Sequence, residues 1–260
     1  MKTPTMRDIA RHLNVSVTTV TKALHGHSDI SDETKKKVQD AAQELGYVLN
    51  FMAAHMRQTN GTLVGLVLSD ISKPFFSDMI HGYEHTLTEA GYYTLLFTSY
   101  EDAHKEFEHI KQLCSLNIAG IILDLAQGSE KSVQWLRTRG VPFVLTNRYQ
   151  CAHEDYYVMA DNEQVGYLAT RHLLRNNTDG PVLCVNGPEG ISPTVRRYAG
   201  YCRALQEAGR SVDRKYIFQD NYGLEDAYKA GLVAGRRCKP PFGVFCSTDH
   251  VECVVLMTRK

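Results

Sequence analysis

From Thr62 onward, short apolar runs alternate with longer segments in which apolar residues recur at the helical period. The strand candidates are Leu63–Leu68, Tyr92–Phe97, Gly120–Leu123, Phe143–Thr146, Tyr156–Met159, Val182–Val185, Tyr216–Phe218 and Val244–Cys246. The helix candidates are 76–90, 103–116, 130–139, 162–175, 193–208 and 224–235. This alternation is typical of an α/β doubly wound parallel sheet, because parallel neighbours need helical crossovers. Such sheets bind ligands beyond the carboxyl ends of their strands, so we expect a ligand site there.

The first 49 residues follow a different pattern, with three short helices that each begin at a capping residue. The predicted N-caps are Thr5, Ser16 and Ser31. Asn14 is expected to turn the chain between the first two helices, since asparagine tolerates a left-handed conformation. Residues 50–61 form a connector whose weak helix is too short to be stable alone. We therefore predict an all-α headpiece at 1–49, a linker at 50–61 and an α/β domain at 62–260.

Within the headpiece, a helix, a tight turn and a second helix follow one another at helix-turn-helix spacing. The second helix of that motif can lie in the major groove of DNA, where methyl groups meet thymine and cations meet guanine or phosphate. The candidates for DNA contact are Val17, Thr18, Thr21 and Lys22 on its polar face and Thr5, Ser16 and Thr19 as donors to phosphate. The spacing alone fits an ordinary helical hairpin with a solvated face equally well.

Composition narrows the functional classes. The 29 Lys and Arg residues balance 29 Asp and Glu, so any contact with nucleic acid must be local. The chain has no apolar run of about 18 residues and its start lacks the apolar core of a signal peptide, so we predict a cytoplasmic protein without a membrane partner. No serine, cysteine or aspartate lies beside a base in a recognisable catalytic pattern, so we predict no enzyme activity, no resident metal and no cofactor.

Residues 5–10 (TMRDIA) and 15–24 (VSVTTVTKAL) closely resemble the signature of the lactose-repressor (LacI/GalR) family of bacterial transcription regulators. The similarity continues through Ile30-Ser31 and 45–47 (LGY) to Asn50. It departs at 13–14 (LN), where the family usually has Ala-Gly, and at 21–22 (TK), where Ser-Arg is common. The resemblance implies a DNA-binding transcriptional regulator, a repressor whose affinity for operator DNA is controlled by a small sugar-like effector. It also implies a homodimer or a higher oligomer.

The resemblance also assigns a role to the linker. In the family, the linker folds into a hinge helix on DNA, and the two hinge helices of a dimer insert a leucine into the minor groove. Asn50, Ala53 and Met56 fall on this hinge pattern, with Met56 at the inserted position. An apolar side chain there can unstack a base step and bend the duplex. Alternatively, Met56 packs against the α/β domain. The usual arginine beside it is replaced here by Ala54 and His55.

From Leu63 onward the chain resembles the family's effector domain, which shares its fold with periplasmic sugar-binding proteins. The matching segments include 64–67 (VGLV), 74–76 (PFF), 82–84 (GYE), 161–162 (DN), 196–201 (RRYAGY) and 245–249 (FCSTD). By this resemblance Arg197 holds the arginine of an R-x-x-G motif, and Asp249 holds the aspartate of an N-D motif. An arginine fork and a carboxylate suit sugar hydroxyls or a carboxylate. Phe75, Phe76 and Tyr222 are candidates for stacking on the effector. The alternatives are that Arg197 bridges two loops and that the aromatic rings belong to the core.

Two other functions have to be weighed. Residues 81–85 (HGYEH) spell H-x-x-E-H, a zinc metallopeptidase pattern that places His81 and His85 on one helix face. Against it, no third ligand is obvious and Gly82 interrupts the helix. The second alternative is a sugar-binding module with no role on DNA, which the headpiece and the missing export signal disfavour.

The chain is also shorter than the family pattern. Family members continue through further strands and helices, whereas Asp249 is followed here by only eleven residues. We therefore expect a C-terminally incomplete, truncated α/β domain. A sheet that lacks its final strands exposes an edge and an apolar face.

Overall fold

The computed structural model describes residues 4–48, 61–72, 74–149, 156–176, 180–219, 224–237, 242–247 and 255–257. The chain divides into two compact units, Met1–Thr59 and Asn60–Lys260. The described part of the headpiece lies in the first unit, and the described part of the α/β domain lies in the second. Among the described helices, none is long and apolar enough to cross a membrane.

The headpiece contains three helices, α1 (Met6–Leu13), α2 (Val17–Leu24) and α3 (Asp32–Glu44). The predicted N-caps are confirmed for all three helices. Asn14 adopts the left-handed conformation with φ 54° and turns the chain between α1 and α2. The core is small, because Ile9, Val20 and Val38 pack with four alanines: Ala10, Ala23, Ala41 and Ala42. These small side chains let the three helices approach closely around a few apolar contacts.

The first sheet of the α/β domain contains β1 (Leu63–Leu68), β2 (Tyr93–Thr98), β3 (Gly120–Leu123), β4 (Phe143–Thr146) and β5 (Tyr157–Val158). The strand order is β2-β1-β3-β4-β5 and every pairing is parallel. All six residues of β1 are buried, as expected for a strand covered on both faces. The helices α4 (Pro74–Glu89), α5 (Ala103–Cys114) and α6 (Glu130–Arg139) connect the first four strands. Apolar side chains of α5 and α6 pack with β1, β3 and β4 to form the core.

The second sheet contains β6 (Val182–Asn186), β7 (Ile217–Gln219), β8 (Phe242–Cys246) and β9 (Val255–Met257), in the order β7-β6-β8-β9. Strands β6, β7 and β8 are parallel, whereas β9 runs antiparallel to β8. The helices of this half are α7 (Asn162–Asn176), α8 (Ser192–Glu207) and α9 (Leu224–Arg237). One buried cluster joins α7 and α8 to β6 and β8.

The predicted fold class is confirmed, with three differences in detail. The strands are divided between two sheets, since alternation along a sequence predicts parallel pairing but not which strands pair. The strand β9 was not predicted, because three apolar residues are too few to show a period of two. Helix α4 begins at Pro74 rather than at 76, and proline suits the first turn because its ring fixes φ at a helical value.

Helices α7 and α8 cross closely because two glycines face the crossing. A Cβ atom on Gly166 would lie 2.0 Å from the backbone oxygen of Arg197, and one on Gly200 would lie 2.0 Å from that of Glu163. Any larger residue at either position would push the helices apart. The close approach brings Arg197 of α8 beside Asn162 at the start of α7.

Candidate DNA-binding helix and ligand cleft

Helix α2 is held at its N-terminus by a side-chain cap. Ser16 Oγ accepts a hydrogen bond from the Thr19 backbone N–H at 3.0 Å, and the two hydroxyls are 2.8 Å apart. The helix buries Val20 and Ala23 in the headpiece core. Its N-terminal end is open to solvent at Ser16, Val17 and Thr18, and Val17 is 41% exposed. The predicted separation of an apolar and a polar face is therefore present at this end of the helix.

Two of the candidate threonines are engaged within the headpiece. The Thr21 hydroxyl donates to the Val17 backbone oxygen at 2.9 Å and lies 3.4 Å from Met6 Sδ, so it is partly buried against α1. Thr5 caps α1, and its backbone N–H and hydroxyl both donate to the Asp8 carboxylate, at 2.8 and 2.6 Å. Both hydroxyls have partners before any DNA is bound.

Lys22 lies in the last turn of α2, and its Nζ donates to the carboxylate of Asp29 in the loop before α3. The two side chains are 41% and 52% exposed. The hydrogen bond from Lys22 is the largest factor that lowers the pKa of Asp29 below its ordinary value. The linker candidates Asn50, Ala53 and Met56 lie outside the described residues.

Arg197 connects three segments of the α/β domain. Its Nε donates to Asn162 Oδ1 at 2.7 Å, and its Nη1 donates to the backbone oxygen of Ser247, which directly follows β8, at 3.0 Å. The side chain is half-buried. The bridging role weighed from the sequence is therefore present, and it holds the carboxyl end of β8 against the starts of α7 and α8.

The aromatic candidates separate by burial. Phe75 is 38% exposed, whereas Phe76 is 1% exposed, and the two rings meet edge to face with centroids 5.4 Å apart. The prediction that Phe76 stacks on a ligand is corrected, because a ring enclosed by protein presents no face to a ligand. Tyr222 and Asp249 lie outside the described residues.

A polar group that the sequence analysis did not single out collects at the carboxyl ends of the first sheet. We call it the strand-end cluster; it comprises Ser69, Glu101, Asp124, Asn147 and Arg148. Asp124 is fully buried and accepts hydrogen bonds from the Ser69 N–H at 3.2 Å, from the Ser69 hydroxyl and from Asn147 Nδ2 at 3.0 Å. Burial raises the pKa of Asp124, and the neighbouring Arg148 opposes that shift.

Arg148 organises the other half of the strand-end cluster. Its two terminal nitrogens donate to the two Glu101 carboxylate oxygens at 2.8 and 2.7 Å, the paired geometry typical of arginine. Nη1 also donates to the Leu125 backbone oxygen at 2.9 Å. Glu101 and Asn147 both have positive φ, at 62° and 59°, which is uncommon for residues other than glycine and recurs at functional sites.

Glu106 of α5 holds the loop after β3 through a hydrogen bond to its backbone. The Glu106 side chain is fully buried, and its Oε2 accepts a hydrogen bond from the Ala126 N–H at 2.7 Å. Burial raises the pKa of Glu106 to about 7, although the Ala126 N–H and the hydroxyls of Ser132 and Ser129 favour the ionised form. Glu106 thus holds the backbone to which Arg148 donates.

A cavity of about 300 Å³ opens beside Arg148, a volume at the lower end of that of small-molecule sites. Its lining is Leu125, Ala126, Gln127, Gly128, Glu130, Arg148, Tyr149, Gly190, Ile191 and Ser192. The first seven of these residues belong to the first sheet's half, Gly190 and Ile191 directly precede α8, and Ser192 begins that helix. The Tyr149 N–H donates to Ser192 Oγ at 3.0 Å across this junction. The cavity therefore lies where two halves of the α/β domain meet, beyond strand ends.

The H-x-x-E-H motif lies on α4 and its side chains have local partners. The rings of His81 and His85 are 6.5 Å apart between centroids, Glu84 accepts from Thr88 at 3.2 Å, and His85 Nδ1 is 3.6 Å from Glu89. Among the residues that the structure describes, no group of three or more His, Cys, Asp or Glu is arranged to hold a metal.

One sequence signal could have found the strand-end cluster. Asp124 directly follows the apolar run of β3, and Asn147 directly follows that of β4. A polar residue directly after a buried strand is the signal that both share. Applied to every strand, it would have pointed to both residues.

Both parts of the chain match known protein families. Residues 5–50 match the family described as "Bacterial regulatory proteins, lacI family", and residues 61–235 match "Periplasmic binding proteins and sugar binding domain of LacI family". The transcriptional regulator DegA of Bacillus subtilis (strain 168) is 27% identical over 264 residues, which covers 100% of this chain and 77% of DegA.

Two solved structures are similar over 94% of this chain. The transcriptional regulator CelR in complex with cellobiose is 26% identical with a TM-score of 0.64, and 73% of that chain is covered. The lac repressor dimer bound to operator and the anti-inducer ONPF is 17% identical with a TM-score of 0.76, and 74% of that chain is covered. At 17% identity, the match to the lac repressor shows a similar fold and no more.

Proposed function

The chain belongs to the LacI family of bacterial regulatory proteins and is a DNA-binding transcription regulator; on this premise we propose that it is a repressor controlled by a carbohydrate. It acts as a homodimer on a near-palindromic operator in the cytoplasm, where chromosomal DNA lies, because two-fold protein symmetry matches two-fold operator symmetry. Its functional parts are the headpiece 1–49, the linker 50–61 and the α/β domain 62–260. The observation that carries the proposal is the capped helix α2, which is open to solvent at Ser16, Val17 and Thr18.

On DNA, α2 enters the major groove with its solvent-exposed end leading. The methyl groups of Val17 and Thr18 suit thymine methyls, and the Lys22 ammonium suits guanine acceptors. Ser16 and Thr19 donate to phosphate at the helix start, with Thr5 beside them on α1. Thr21 stabilises α2, since its hydroxyl already donates a hydrogen bond to the Val17 backbone oxygen. In the linker, Asn50 and Ala53 line the hinge and Met56 enters the minor groove.

The effector binds at the strand-end cluster and the adjoining cavity. Carboxylate, amide and guanidinium groups in a cleft are the groups that recognise sugar hydroxyls. Arg148 lines the cavity, and the half-buried Glu101 and Asn147 lie in the same cluster. The fully buried Asp124 positions Asn147 through their hydrogen bond. Arg197 and Asp249 contribute hydrogen bonds to the effector, and Phe75 and Tyr222 contribute aromatic faces. The family's sugar-binding domain and the cellobiose held by CelR support a carbohydrate as the ligand class.

Ligand binding is coupled to DNA binding through the linker. A ligand that touches both halves of the α/β domain changes how they pack, which reorients the two linkers of a dimer. Allosteric coupling of this kind is typically worth about 1 to 3 kcal/mol, or roughly 5- to 150-fold in affinity.

The test starts with selection of duplexes from a randomised library by the purified full chain. Enrichment of a near-palindrome, together with a footprint that a member of a sugar panel weakens or strengthens, supports the proposal. Failure to enrich any sequence contradicts it and leaves a DNA-independent sugar-binding module.

Lys22→Ala tests whether α2 contacts bases in the major groove. It removes the only charged side chain of α2, so we expect affinity for the selected duplex to fall roughly tenfold while affinity for a scrambled duplex falls less. An unchanged ratio between the two duplexes, measured by titration at fixed salt, would remove Lys22 from the set of base-reading residues.

A further inference from the structure

Lys22 is the charged residue of α2, the helix proposed to enter the major groove. The sequence of α2 is VTTVTKAL, so Lys22 is its single charged residue. Lysine carries its ammonium on a flexible four-carbon stem, and an unrestrained ammonium binds any phosphate within reach. A lone cation on such a stem therefore adds affinity for every duplex and little preference for one sequence.

The headpiece restrains this stem before DNA is met. The Lys22 ammonium donates to Asp29, seven residues further on, in the loop that joins α2 to α3. The Asp29 carboxylate is ionised near neutral pH, and the hydrogen bond from Lys22 is the main factor that lowers its pKa. Both side chains remain about half exposed, at 41% and 52%, so the ammonium is still accessible from solvent.

We propose that Asp29 is a positioning residue that directs the Lys22 ammonium toward base edges and away from the DNA backbone. An ammonium has three N–H donors, of which Asp29 takes one and leaves two for acceptors. Guanine presents two adjacent acceptors, O6 and N7, in the major groove, so it is the base that this arrangement favours. The Asp29 carboxylate also repels phosphates, which disfavours the non-specific pose. This inference rests on the proposed function, because it needs α2 to lie in the major groove.

Asp29→Asn in the full chain tests the inference, with the duplex selected by the wild type and a scrambled duplex as ligands. We expect the ratio of the two affinities to fall about three- to tenfold, because the freed Lys22 reaches phosphates on both duplexes. We also expect the preference for guanine to relax at one position of each half-site in a repeated selection. The salt dependence on scrambled DNA should steepen by up to about 0.9 in log–log slope, the value for one added phosphate contact.

Comparison with Lys22→Ala separates positioning from a structural effect. Both variants should relax the same base position, but Lys22→Ala should leave the salt dependence on scrambled DNA nearly unchanged, because the restrained Lys22 makes no phosphate contact there, whereas Asp29→Asn makes it steeper. In a Lys22→Ala background, Asp29→Asn should have no effect on the base preference. Relaxation at different positions would overturn the inference.

Glu33→Gln is the matched control. Glu33 accepts from Lys37 at 2.8 Å within α3, so this variant makes the same change in charge and also breaks a lysine–carboxylate pair. It should keep the guanine preference. If Glu33→Gln relaxes the preference as much as Asp29→Asn does, the effect is one of net charge and the inference fails. Asp29→Ser, checked for folding by circular dichroism, must reproduce Asp29→Asn. If the wild type enriches a sequence and both Asp29 variants retain its discrimination, only this inference is lost.

Discussion

In the headpiece, the candidate DNA contacts with described positions lie within 18 residues, from Thr5 to Lys22. The strand-end cluster instead brings together Ser69, Asp124 and Asn147, which follow the ends of three different strands. The first site depends on one short helix, its cap and a tight turn. The second depends on strand pairing, which brings Ser69 within hydrogen-bonding distance of Asp124, 55 positions further along the chain. A local site is sensitive to helix ends, and an assembled site is sensitive to packing far from it.

The largest effect on stability should come from the close crossing of α7 and α8 in the α/β domain. Gly200→Ala places a Cβ 2.0 Å from the Glu163 backbone oxygen, so α7 and α8 must separate. We expect the free energy of unfolding to fall by about 3 kcal/mol or more, measured by urea denaturation. Gly82→Ala in α4 is the control, because its Cβ would meet nothing within 4 Å. It should stabilise by about 0.5–1 kcal/mol. Equal effects of the two changes would mean that the close crossing is not a constraint.

A somewhat smaller effect should follow the ionisation of Glu106. Its folded pKa of about 7 lies above the ordinary value of 4.5, so the folded state favours the protonated form. This contribution is complete below about pH 4.5 and is lost as pH rises through about 7. The cost to stability at pH 8.5 is on the order of 3 kcal/mol, of which about 2 kcal/mol is lost between pH 5.5 and 8.5.

Glu106→Gln should remove that pH dependence and make the protein more stable than the wild type at pH 8.5. Urea denaturation at pH 5.5 and 8.5 measures both effects. Glu108→Gln, on the same helix, is the control, because Lys111 lowers the pKa of Glu108 instead of raising it. A wild type whose stability does not decline between the two pH values would show that Glu106 is ionised without cost.

The smallest effect should come from the caps of the headpiece. Ser16→Ala and Ser31→Ala each remove a hydroxyl that accepts a backbone N–H, so each should destabilise the headpiece by about 1 kcal/mol. Thermal unfolding followed by circular dichroism measures this loss. Only Ser16→Ala should also weaken operator binding at a temperature where both variants are folded. Equal losses of DNA affinity would show that Ser16 acts through stability alone.

The contrast between the sites also explains what the sequence could predict. The caps, the Asn14 turn and the βα alternation were predicted correctly because each depends on residues within a few positions of one another. The strand-end cluster was missed because Asp124 and Asn147 are 23 residues apart and meet only when β3 pairs with β4. The Lys22–Asp29 pair was missed because the path of the loop, not helix periodicity, brings these side chains together.

Arg197 and Phe76 illustrate the same limit within one domain. A motif identified Arg197, but its partners Asn162 and Ser247 depend on how α7, α8 and β8 pack. Two adjacent phenylalanines look equivalent in the sequence, and only the packing of α4 buries Phe76 while leaving Phe75 at the surface.

The glycine-lined crossing has a mechanical consequence. Because backbone touches backbone at Gly166 and Gly200, neither helix can slide past or lift off the other without a clash or a void. Displacement of Asn162 at the start of one helix is therefore transmitted to the whole of its neighbour. We therefore expect the two helices to move as one rigid unit, so that a displacement at Asn162 also displaces Arg197.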